Sequence, residues 1–120
     1  MSEGASAGTG PEALLEAVLA ALRVGADEGA ATLYAALTPR ARGPLGGAAG
    51  LRRALGNALM ASLVAATRLD VEPWDHRDAV ARTTVAVDGP NGAASYLVSA
   101  RRGDDGWQLT GVRRADLPPV

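Results

Sequence analysis

The sequence predicts an α+β fold, with three N-terminal helices packed on an antiparallel sheet. Three observations predict it. Apolar residues recur at helical spacing through the first half of the chain. After residue 70 the apolar period becomes two. Two glycine-containing turns then divide the second half into three runs of strand length.

The chain has 120 residues, the size of one domain, and a domain of that size buries roughly two thirds of its unfolded surface. Residues 1–8 hold no apolar side chain larger than alanine after Met1 and are expected to form a disordered tail. The folded unit is expected over residues 9–115, with a short tail at 116–120.

The first helix starts at "TGPE". Thr9 suits the cap, Pro11 the first turn, and Glu12 the far side of a capping box. Leu14, Leu15, Val18, Leu19 and Leu22 form its apolar stripe, and Arg23 and Gly25 close it. A second helix runs from Asp27, with Leu33, Tyr34 and Leu37 inward, until Thr38-Pro39 stops it. The stretch "RARGPLGGAAG" reads as a loop, and a third helix covers 48–58 with Leu51 and Leu55 facing in. Residues 59–68 fit either a continued helix or a first strand, with a strand after Ser62 preferred.

The strands are "AVARTTVAV" (79–87), "AASYLVSAR" (93–101) and "WQLTGVR" (107–113). "DGPNG" and "GDDG" join them as hairpins, with Gly where positive φ is needed. Pairing Val87 with Ala93 and Arg102 with Trp107 sets two faces. One carries Val80, Arg82, Tyr96, Val98, Ala100, Trp107 and Leu109, and its bulk assigns it to the helices. The other carries Thr83, Val85, Val87, Leu97, Ser99, Thr110 and Val112; half polar, it suits solvent or a second copy of the chain, and its apolar part makes a homodimer through the sheet the expectation. A one-residue slip would exchange the faces.

Composition narrows the function. The chain has no cysteine, which excludes disulfides, thiolate metal sites and cysteine nucleophiles. All twelve basic residues are arginine, yet the net charge is −1, so no basic field favours nucleic acid. The apolar stretch from Leu14 to Leu22 is too short to span a bilayer and contains Glu16, so no membrane partner is expected. The start "MSEGASAGTG" has no basic region of a signal peptide, and a cytoplasmic protein is expected. "GPLGG" (43–47) lacks the lysine and hydroxyl of a phosphate loop and reads as a connector.

Four pieces occur in a characteristic order: "ALR" ending a helix, "GAATLYAALTPRAR", "GLRRAL", and the closing "SYLVSARRGDDGWQLTGV". Together they resemble small members of the nuclear transport factor 2-like superfamily, also called ketosteroid isomerase-like, over about residues 11–114. The resemblance implies that the three helices pack on a curved antiparallel sheet forming a cone, with a pocket at its open end, and that the protein is a dimer, as members often are. It implies no single activity, because the superfamily includes isomerases, polyketide cyclases, epoxide hydrolases and non-catalytic binding modules. Its enzymes use carboxylates, tyrosine, histidine or arginine inside the cone, and no position of this sequence matches such a set.

The candidate residues are few. "WDHRD" (74–78) holds the chain's one histidine; His76 between Asp75 and Asp78 has the chemistry of a base, or of a charged solvated loop. One histidine with oxygen neighbours makes a poor metal site, so no metal and no cofactor are expected. Arg82, on the face assigned to the helices, would need an anionic partner and is a candidate for reading a carboxylate. Tyr96 and Tyr34 have hydroxyls to offer a ligand, although both sit at packing positions. Trp74 suits either the rim of a pocket or the cover of a core edge, and Trp107 reads as a packing anchor. The expected function is binding of a small apolar molecule, a carboxylate-bearing one included, or dimeric interaction. The alternative is an isomerase, cyclase or epoxide hydrolase with acid–base residues in the cone.

Overall fold

In the computed structural model, residues 10–56, 58–90, 92–104 and 106–115 are described, and five helices and a 3-10 turn precede five strands. The helices are α1 (Pro11–Val24), α2 (Ala26–Ala36), α3 (Pro39–Arg42), α4 (Gly47–Leu55) and α5 (Ala58–Val64), with the 3-10 turn at Gly43–Leu45. The strands are β1 (Arg68–Val71), β2 (Asp75–Arg77), β3 (Val80–Asp88), β4 (Ala94–Gly103) and β5 (Gly106–Arg114). The expected tails at 1–8 and 116–120 and the Thr9 cap lie outside the described residues.

The helical half departs from expectation in two places. "RARGPLGG" is not a plain loop: Thr38 Oγ1 accepts a hydrogen bond from the Ala41 N–H at 3.2 Å and caps α3, and the 3-10 turn follows directly. The preferred strand after Ser62 is not formed. Helix α5 runs to Val64 and the first strand starts at Arg68. The physical reason is packing: Leu63 is buried in the core from α5, and a helical continuation seats it there without exposing backbone.

The sheet is open and antiparallel, with strand order β1–β3–β4–β5, and β2 pairs with β3 beside β1. The three expected strands lie at 80–88, 94–103 and 106–114. β1 and β2 are additions, too short to show a period. Between them, Glu72 keeps its N–H on the Thr84 carbonyl at 3.0 Å, and Thr83 Oγ1 donates to the Glu72 carbonyl at 2.6 Å. Those bonds satisfy Thr83, the buried polar residue of the sheet.

Register corrects the face assignment. Val87 pairs with Ala94, not Ala93, which turns β3 over relative to the expected arrangement. Ala81, Thr83, Val85 and Val87 face the helices, while Val80 and Arg82 are exposed. Across the second turn Arg102 does pair with Trp107. A bulge then shifts the register: Leu109 pairs with Ala100, but Gly111 pairs with Ser99, leaving Thr110 as the extra residue. Leu109 and Val112 therefore both turn toward the helices. Without the bulge their odd and even positions would fall on opposite faces.

The core sits between the helices and this inner face. Leu15, Val18, Leu22, Leu33, Leu51, Leu55 and Leu63 meet Val85, Tyr96, Val98 and Leu109. Helices α1 and α2 cross where Gly29 lies on Leu22; a Cβ there would run into the Leu22 side chain. The α2–α3 connection docks on the sheet edge, with the Thr38 N–H donating to the Leu109 carbonyl at 3.0 Å.

Candidate functional site

The residues between the helices and the sheet leave almost no internal space. The central void, bounded by Leu15, Leu33, Leu63, Val85, Tyr96 and Val98, measures about 10 Å³. Its polar group is Tyr96, fully buried, whose hydroxyl accepts a hydrogen bond from the Leu63 N–H at 3.3 Å. The interior is therefore aliphatic and filled, and two open concavities flank it.

The first is a groove of about 390 Å³ between the helical layer and the end of β5. Leu33 of α2 and Leu37 just beyond its end, Leu45, Leu51, Ala54 and Leu55 of α4 and its approach, and Met60 of α5 form one side. Val112 and the flanking residues of β5 form the other. Among the described residues, the charged ones lining it are Arg113 and Arg114. The register separates these two arginines. Arg113 pairs with Leu97 on the outer face, and Arg114 pairs with Tyr96 on the inner one. The Arg114 guanidinium lies 5.7 Å from the centre of the Tyr96 ring, at cation–π distance.

The second is a cleft of about 600 Å³ between α1 and the β1–β2 corner. Leu15, Leu19, Val71 and Pro73 give it an apolar floor, Trp74 a wall, and Glu12, Glu16 and Glu72 three carboxylates. The Trp74 indole N–H is buried with no acceptor. At its rim His76 Nε2 lies 3.5 Å from Glu12 Oε2, both side chains being about half in water. The His76 ring meets Trp107 edge to face, at 5.7 Å between centroids. Ala81 and Ala100, both completely buried, lie between them on the inner face and are small enough to let the rings meet.

The structure disperses the other sequence candidates. Arg82 is exposed on the outer face, opposite Ser99 and beside Asp75, and cannot read a ligand held among the helices. Asp75 contacts Arg77 at 3.4 Å on the surface, not His76. Asp78 has φ +56° and turns the chain between β2 and β3, a conformation aspartate tolerates better than most residues. Tyr34 lines neither concavity. Arg42 covers its ring at 5.2 Å and donates to the Tyr34 and Ala35 carbonyls, both at 2.9 Å, which closes the end of α2.

Two contributors were missed in the sequence. Arg114 is adjacent to Arg113 in sequence and carries no local signal of its side, and the bulge is what turns it inward. Glu12 looked like a capping residue and instead meets His76 from α1. No group of three or more His, Cys, Asp or Glu suited to a metal ion occurs among the described residues, and no described helix is long and apolar enough to cross a membrane. No family model matches the chain, and no curated protein is detectably similar to it.

Proposed function

We propose that the protein is a small-molecule binding module whose apolar groove, between α2–α5 and β5, receives a mostly aliphatic ligand. The observation that carries this reading is the lining itself: an open groove of about 390 Å³ walled by Leu33, Leu37, Leu51, Leu55, Met60 and Val112, in the size range of ligand sites. An acid–base enzyme needs titratable groups converging on the reacting atoms, and among the described residues this groove is lined by no carboxylate or histidine. The resemblance of the sequence to nuclear transport factor 2-like domains, which implies a pocket at the open end of a cone, is a further support. Thermal denaturation with increasing decanol tests it. The midpoint should rise with decanol, and Ala54→Phe, which fills the groove from α4, should remove that rise. No rise, or one undiminished by Ala54→Phe, would sink the proposal.

One observation favours the enzymatic reading. His76 and Glu12 form a base–carboxylate pair beside the second cleft. A turnover activity lost in both His76→Ala and Glu12→Gln, with folding intact, would move the function to that cleft.

The module is further proposed to pair with a second copy through the outer sheet face. The expected patch of Val85, Leu97 and Val112 does not exist as one surface, because Val85 and Val112 face the helices. Leu97 remains, set among Thr84, Ala86, Ser95 and Ser99, a shallow surface of small side chains. Arg82 and Asp88 stand on this face equally far along β3 from Val85. A two-fold axis crossing there would set opposite charges together.

A further inference from the structure

We infer that the edge of the sheet where α3 docks carries a separate anion site, formed by Arg40, Arg101, Thr38 and Thr110, and that it takes the phosphate group of a small polar phosphate ester. The inference does not rest on the apolar groove. The two concavities share Ala41 and Thr110 in their linings, but Arg40 and Arg101 line this one and not the groove.

Three elements meet there through one docking contact. The Thr38 N–H donates to the Leu109 carbonyl at 3.0 Å, which lays the start of α3 against β5. Thr110, the bulge residue next to Leu109, pairs with no residue of β4 and is exposed. Bulges of this kind re-aim a side chain out of the strand's alternation. Arg101 of β4 pairs with Gln108, on the other side of Leu109, and shares the outward parity of Leu97 and Ser99. Thr38, Arg40, Thr110 and Arg101 thereby line a concavity of about 450 Å³, within the range of small-molecule sites.

Its polar groups are of one kind. Among the described residues, the side chains of Arg40 and Arg101 have neither an ion-pair nor a hydrogen-bond partner. Arg42, in the same short helix, behaves differently and gives its guanidinium to the Tyr34 and Ala35 carbonyls. The Thr38 hydroxyl accepts the Ala41 N–H, so its own hydrogen is left to donate. The Thr110 hydroxyl has no partner among the described residues. The lining thus offers four donor groups, and no carboxylate from the described residues faces them.

Two guanidinium groups beside one concavity repel each other, and an anion between them turns that repulsion into attraction on both sides. A phosphate monoester carries about −1.5 to −2 charges at pH 7, which matches two cations. Arginine meets phosphate oxygens with paired N–H donors, and the two hydroxyls remain for the other oxygens. A carboxylate, with two oxygens and one charge, leaves part of this donor set unused. The other side chains of the lining are short, so they suit a hydroxylated body and not an alkyl chain.

Chemical-shift titration of the isotope-labelled whole chain with glycerol phosphate, acetate and glycerol tests the inference. Glycerol phosphate should give saturable shifts at the Arg40 and Arg101 side-chain N–H groups and at the Thr38 and Thr110 amides, acetate weaker ones, and glycerol none. Arg40→Gln and Arg101→Gln should each weaken binding about fivefold, the upper range for an exposed charge pair. Thr110→Val keeps shape and charge and should weaken it about threefold, as for one neutral hydrogen bond. Arg102→Gln removes the same charge from the adjacent exposed residue, which lies outside the lining, and should change affinity by less than about twofold. Ala54→Phe, in the apolar groove, should have no effect, so loss of the groove reading leaves this site standing. Equal losses in Arg101→Gln and Arg102→Gln would reduce the effect to net charge and overturn the inference. Glycerol binding as tightly as its phosphate, or shifts that do not saturate or that fall elsewhere, would overturn it as well.

Discussion

The hydroxyl of Tyr96, at the centre of the sheet, accepts the N–H of Leu63 in the last turn of α5 at 3.3 Å. This bond joins the two halves of the molecule. Tyr96 has no exposed surface, Leu63 is buried beside it, and the Arg114 guanidinium lies 5.7 Å from the centre of the ring. Tyr96→Phe should lower stability by about 0.5–1.5 kcal/mol, the net worth of one such bond. Urea denaturation read by far-UV circular dichroism checks this. An unchanged midpoint would mean that the bond adds nothing to stability in water.

Gly29→Ala should cost more than its gain in helix propensity. The added methyl would meet the Cα and side chain of Leu22, where α1 crosses α2, and overpacking of that kind costs about 1–3 kcal/mol. The loss should shrink when Leu22→Ala is combined with it, since the double variant removes the clash. Additive losses would place the strain elsewhere.

Trp74→Phe removes a buried indole N–H that has no acceptor while keeping an aromatic ring on the cleft wall. An unsatisfied buried donor costs about 1–3 kcal/mol. The variant should therefore match or exceed the parent in thermal midpoint. A clear drop would show that ring volume matters more than the orphaned donor.

Arg82→Leu should leave folding stability within about 0.5 kcal/mol of the parent, the usual range for exposed positions. It should also leave the rise of the thermal midpoint with decanol unchanged. A lost rise would place a ligand contact on the outer face.

Leu97→Arg tests association. Leu97 faces outward among small residues, so a charge there is compatible with the folded monomer and hostile to a sheet–sheet contact. Sedimentation should give a dimer for the parent and a monomer of unchanged circular dichroism for the variant. A monomeric parent at high concentration ends the proposal.

By itself the sequence determined the elements whose causes are local. The leucine stripe of α1, the period-two runs and the glycine turns lie within a few residues of the structure they specify, and the strands were found to within a residue or two at most ends. Trp107 opposite Arg102 followed from the length of "GDDG" alone. Tyr96 was legible as an inward residue, because its neighbours Val98 and Ala100 share its parity. Tertiary structure decided what depends on distant partners. Residues 59–64 became helix because Leu63 meets Tyr96 across the core. The first hairpin can close in registers one residue apart, and burial of Val85 and Val87 chose the one that exposes Arg82. The bulge at Thr110 forms where the α2–α3 connection docks on Leu109, a contact between residues far apart in sequence. A shift of one residue moves a side chain through the sheet, and that is why the fold was readable while the arginine facing the groove was not.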